Sequence, residues 1–238
     1  MAQPGGGDVG EELARIEAAV RAGSTDLSAL GFWRVVRRLK EDPALAELWA
    51  DAAGEIDRMA FEQGIRWRFP VWLGNAVLIG GVAAGGVAIA LSAAFDDDLL
   101  KGLALVASTG ILTVSVHCLG HWAVGRAAGM RFLAYYPAGP FKVQPSLKID
   151  YASYLRTSPA DRARMHAAGA VASKAAPFVS LALWPLTGAP LWAGLAVLGL
   201  GLVQIVTDIV WSRKHSDWKK YLRERRYARR QAGARAAG

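Results

Sequence analysis

From Pro70 to Phe95 the chain carries no charged residue. A helix of that length, rising ~1.5 Å per residue, crosses a hydrocarbon core of ~30 Å, so a first membrane span is expected here. Gly80, Gly81, Gly85 and Gly86 within it allow a neighbouring helix to approach closely. Asp96, Asp97 and Asp98 then make a polar turn, and a second span is expected from Leu99 to Val124, ending at Arg126. A third, from His166 to Leu186, contains Lys174 and Pro177, so a re-entrant or broken helix is the alternative to a continuous one. Thr187 to Pro190 forms a short external turn. Leu191 to Trp211 reads as a fourth span, interrupted only by Gln204, Thr207 and Asp208.

The basic residues fall on one side of these four spans. Arg66 and Arg68 precede the first, the loop from Gly129 to Arg164 has six basic residues against two acidic ones, and Ser212 to Gly238 has ten Lys and Arg against Asp217 and Glu224. By the positive-inside rule the loop and both termini are expected in the cytoplasm, with the protein integral to the cell membrane. The net charge of +8 is therefore mainly a property of residues 212–238. A basic stretch directly after an apolar helix suits membrane lipids with anionic head groups, and without an RNA- or DNA-binding motif no nucleic-acid partner is expected. Cys118 is the only cysteine, which excludes an intramolecular disulfide. No internal repeat is visible, which argues against an inverted-repeat transporter.

Residues 1–69 are too long and too charged for a signal peptide, so the first span is expected to act as the targeting signal. Met1 to Gly7 read as disordered, whereas Glu11 to Ala22 and Pro43 to Gln63 carry helical spacing of Leu, Ile, Ala and Trp. Asp42 before Pro43 reads as an N-cap followed by proline at the first helical position. These helices, with Phe32 and Trp33 between them, are expected to form a small cytoplasmic extension, packing on one another or lying on the membrane surface. The fold class is thus an all-α membrane protein: an N-terminal helical region (1–69), a membrane domain (70–211) with cytoplasmic loop 129–165, and a basic tail (212–238).

Within the second span, His117 and His121 stand four residues apart and project from one face of the helix, so two imidazoles reach one ion. The fourth span offers Asp208, and an Asp near the bilayer centre costs about 2.5–3.5 kcal/mol unless it finds a partner or an ion. His121 lies five residues before Arg126 and Asp208 five before Arg213, which puts both roughly 7–8 Å inside the same boundary. Two His and one Asp at one depth leave a fourth tetrahedral position open, as in catalytic zinc sites. The alternative is that Asp208 pairs with Lys174 while the histidines bond neighbouring helices.

His117-Cys118-Leu119-Gly120-His121 resembles the His-Glu-x-x-His helix of the site-2 protease family of intramembrane zinc metallopeptidases. Asp208 is similar to that family's Asp on a later span, and Ala168-Gly169 to its Ala-Gly-Pro-x-x-Asn element. The likeness covers Leu99 to Trp218. It implies His117, His121 and Asp208 as zinc ligands, and a transmembrane protein substrate or client cut near the cytoplasmic face.

Cys118 stands where the family has its general-base Glu, Ala170 and Ser173 replace its Pro and Asn, and Ile209 follows Asp208 where Gly is usual. A carboxylate at that place takes a proton from water and returns it to the leaving amine, typically worth ~10²–10⁴ in rate. A thiol about 100° around the helix from His117 is too short to do so, so Cys118 is expected to be a small apolar filler and peptidase activity to be slow or absent. The implied functions are a membrane zinc metallopeptidase, an inactive relative that binds and regulates membrane proteins, or a non-enzymatic helical scaffold. In the loop, Phe132 to Tyr136 and Lys142 to Ile149 suit short strands able to hold an unwound substrate by β-addition. His215, among basic and aromatic neighbours, reads as interfacial.

Overall fold

The computed structural model describes residues 6–138, 144–210 and 216–237. The expectations for residues 1–5, 142–143 and His215 lie outside them. The chain is an all-α membrane protein with one small hairpin.

Three helices precede the membrane domain: α1 (Gly6–Arg21), α2 (Phe32–Glu41) and α3 (Pro43–Gly64). Asp42 caps α3 by accepting from the amides of Ala44 (2.8 Å) and Leu45 (3.3 Å), and Pro43 supplies the preset first turn. The helices pack on one another around Leu13, Ile16, Phe32, Leu39 and Ile56. Burying each of these contributes about 1.5–3 kcal/mol. The helix α2 is additional to the two expected, and its apolar positions 32, 35, 36 and 39 follow the i, i+3, i+4, i+7 rule of a one-sided helix.

Four helices are long and apolar enough to cross a membrane: α4 (Val71–Ser92), α5 (Asp98–Ala127), α7 (Pro159–Thr187) and α8 (Leu191–Val210). Asp97 caps α5 through the Leu100 amide at 2.9 Å. The centre of the bundle is α5, packed between α4 and α7. Gly81 and Gly85 make the α4 contact close, since a Cβ at either would overlap Ser115 or Leu112. The third span is one continuous helix rather than a broken one, with Pro177 and Pro185 inside it. It also starts earlier than expected, because Ser158 accepts from the Asp161 amide and Pro159 opens the first turn.

Between α5 and α7 the chain forms an antiparallel hairpin, β1 (Phe132–Ala138) and β2 (Gln144–Ile149), with Tyr135 opposite Leu147, followed by the short helix α6 (Tyr151–Arg156). Phe69 exchanges two backbone hydrogen bonds with Tyr135 (2.8 and 2.9 Å), and the Tyr135 hydroxyl donates to Asn75 Oδ1 at 2.8 Å. These bonds clamp β1 to the start of α4. The other edge of β2 has no strand partner among the described residues and faces α5. A last helix, α9 (Asp217–Ala237), is docked along α7 and reaches α2.

Candidate metal centre

α5 presents His117 and His121 one turn apart, with ring centroids 4.7 Å from each other and planes nearly perpendicular. Each ring is fixed from behind by α7. His121 Nδ1 donates to the Met165 carbonyl at 2.7 Å, and His117 Nδ1 donates to the Gly169 carbonyl at 3.1 Å. A carbonyl only accepts, so Nδ1 must carry the proton in both rings, which leaves Nε2 either to donate to a carboxylate when it is protonated or to offer a lone pair to a cation when it is not. Gly169 is required here, because a Cβ would overlap the His121 ring. That is the physical content of the Ala168-Gly169 pair.

Both Nε2 atoms point at one carboxylate, that of Asp217. Its Oδ2 lies 3.1 Å from His121 Nε2 and 3.3 Å from His117 Nε2. These separations are close to the ~3.3 Å edge of a tetrahedron with ~2.0–2.1 Å bonds to zinc. Two lone pairs and a carboxylate repel one another unless protons or a cation lie between them, so the donor set fits a divalent metal, with the carbonyl bonds acting as its outer support. Among the described residues His117, His121 and Asp217 are the group arranged to hold an ion.

Asp217 is placed by its own helix start: Ser216 Oγ accepts from the Lys219 amide at 3.3 Å, leaving Asp217 in the first turn of α9. Burial would push its carboxyl up, but in the metal-free arrangement hydrogen bonds from the two histidine Nε2–H groups, helped by the charge of Lys220, hold it far below the usual carboxylate range. Its second oxygen, Oδ1, meets Lys220 Nζ at 3.0 Å and His166 Nδ1 at 3.8 Å. From His166 a buried polar chain leads inward. Tyr154 stands between His166 Nε2 (2.9 Å) and Glu224 Oε1 (3.3 Å). Glu224, with no solvent exposure, also accepts from Lys40 Nζ and Arg162 Nε, both at 2.7 Å. That cluster ties α9 to α2, α6 and α7.

The carboxylate that meets the histidines is therefore Asp217, and Asp208 is engaged elsewhere. Asp208 Oδ2 lies 2.5 Å from Lys174 Nζ, and the pair lines a cavity of about 480 Å³ together with His117 and Cys118. The side-chain partner of Asp208 is decided by the cation one helix away. Asp217 was missed because it follows the last span, in a stretch that composition alone assigns to a solvated tail. The Ser-Asp helix start was the available signal.

Cys118 is buried against Leu78 and Tyr135, and its thiol donates to the Pro145 carbonyl of β2 at 3.4 Å. It thus occupies one acceptor on the free edge of the hairpin. A second cavity, about 510 Å³, opens over the histidines and Asp217 and is walled by β1, β2, His166 and Lys220. Compared with protein-family models, curated proteins and solved structures, the chain matches none.

Proposed function

We propose that this chain is a membrane-embedded metal-centre protein of the site-2 protease type, in which His117, His121 and Asp217 hold one zinc ion and peptide-bond hydrolysis is slow or absent. One observation carries the reading: two imidazoles whose Nδ1 protons are spent on α7 carbonyls aim their Nε2 atoms at a single carboxylate oxygen, at separations that match the edge of a zinc tetrahedron. A zinc ion held there supplies Lewis-acid polarisation of a carbonyl and a lowered pKa for water. The residues of this chain orient and enclose. Gly169 and Met165 fix the rings, Lys220 neutralises Asp217 Oδ1, and the β2 edge offers backbone groups to an extended segment.

The general base is what the site lacks. Cys118 takes the family's Glu position, and its thiol is committed to Pro145. This favours a protein that binds membrane clients over an efficient peptidase. The basic residues before α4, in the 129–165 loop and on α9 orient that side to the cytoplasm, next to anionic lipid head groups.

The test is metal analysis of purified protein with a cleavage assay on a helix-destabilised transmembrane substrate in liposomes. The expected result is one zinc per chain, lost in the His117→Ala, His121→Ala double variant, with little cleavage by the parent and more by Cys118→Glu. Full metal content in the double variant would sink the metal reading and leave a helical scaffold. Robust cleavage by the parent would overturn the low-activity reading.

A further inference from the structure

A groove of about 470 Å³ runs between α2 and α9, remote in sequence from the histidine pair and lined by none of its ligands. Its positive side chains come from two helices: Arg37 and Lys40 from α2, and Arg223, Arg226 and Arg230 from α9. The acidic residues near it are largely used. Glu41 lies 3.6 Å from Arg230, and the buried Glu224 is taken by Lys40 and Arg162, with Arg223 at 3.8 Å. Among the described residues neither Arg37 nor Arg226 has a carboxylate partner. The aromatic walls are Trp33 and Tyr151, which meet edge to face at 5.6 Å, and the mostly buried Tyr227.

We infer that this groove is a binding site for a phosphate-bearing anion. Cations gathered from two helices repel one another, and solubility alone does not require them to converge in a concave site. Guanidinium groups present forked donors that match phosphate oxygens two at a time, which a set of lysines would not. The walls give such a ligand a flat apolar surface beside its charge. Burial pushes Lys40 down to about 8 against the opposing charge of Glu224, with Arg162 and Arg223 adding to the shift, so the anion would be met mainly by the guanidinium groups. A basic helix lying on a membrane needs no concavity; here Arg37 faces α9 from a separate element.

This site stands independently of the metal centre, so its test does not depend on zinc. The probe is inorganic pyrophosphate, titrated calorimetrically into the full-length protein in detergent. One pyrophosphate per chain is expected, with affinity falling by about tenfold or more in Arg37→Gln, Arg226→Gln. The control removes the same charge outside the groove, at the exposed Arg34 and Arg229, and should change affinity by less than about twofold. Competition then names the source: displacement by a nucleoside triphosphate points to a soluble ligand, and displacement by short-chain phosphatidic acid to a lipid head group. Equal loss in both double variants would reduce the groove to diffuse surface charge and overturn the site. So would the absence of saturable pyrophosphate binding in a folded parent protein.

Discussion

Glu224 accepts from Arg162 at 2.7 Å in a pocket that leaves both side chains almost wholly shielded, although one belongs to α9 and the other to the start of a membrane helix. Lys40 of α2 completes the clasp at 2.7 Å. A buried charge cluster of this kind is expensive to break from one side, because the partners stay behind uncompensated, at about 3–5 kcal/mol. Since α9 also carries Asp217, the clasp positions one of the three proposed metal ligands.

Glu224→Ala is therefore expected to lose more than half of the bound zinc without altering any ligand, and Glu224→Gln to lose less. Metal content per folded chain, with helicity checked by circular dichroism, measures this. Parent-level occupancy in a folded Glu224→Ala protein would show that α9 docks without its clasp.

The same group sets an acid limit. Burial opposes the charge of Glu224, but Lys40 and Arg162 overcome it and hold the carboxyl below its usual range. A depressed carboxyl contributes stability that is fully present above its unfolded value of about 4.3 and disappears as pH falls through the folded value. Thermal melting in detergent should thus drop on acidification below about pH 4.3, with a shallower drop in Glu224→Gln. Identical pH profiles for the two proteins would remove Glu224 as the cause.

Asp217 and Asp208 are separable by the same metal measurement. Asp217→Ala should cost as much zinc as His121→Ala, because each removes one donor from a three-donor set. Asp208→Asn should keep it, since its partner is Lys174. The opposite ranking would return the third ligand to α8.

Lys174 and Asp208 should show strong coupling. Lys174→Met alone leaves a carboxylate without its cation between apolar helices, and the expected loss is about 3–5 kcal/mol. Adding Asp208→Asn should recover most of it, read as resistance to unfolding in a denaturing detergent. Additive losses would mean that the pair contributes nothing beyond its parts.

The membrane helices were legible because a charge-free stretch such as Pro70 to Phe95 has few other folds, and the hairpin because the aromatic-rich run Phe132 to Tyr136 stops at Pro137, with a second short run ending at Ile149. The His117 and His121 pairing was also legible, being local to one helix turn. The partner of that pair was not. Asp217 reaches His121 across 96 residues of chain, and nothing in the highly charged sequence of α9 signals that Glu224 is buried at its centre. Helix periodicity finds apolar faces, and α9 docks instead through a few ionic contacts whose partners lie on other elements.

The position of Asp217 along the chain also fixes a sequence of events. It is translated after all four membrane helices, so a ribosome must release the start of α9 before the histidine pair can acquire its carboxylate. Until then the nascent protein is a membrane bundle with two unmatched imidazoles, and loading of the proposed metal would be confined to the period after the last helix has emerged and folded back.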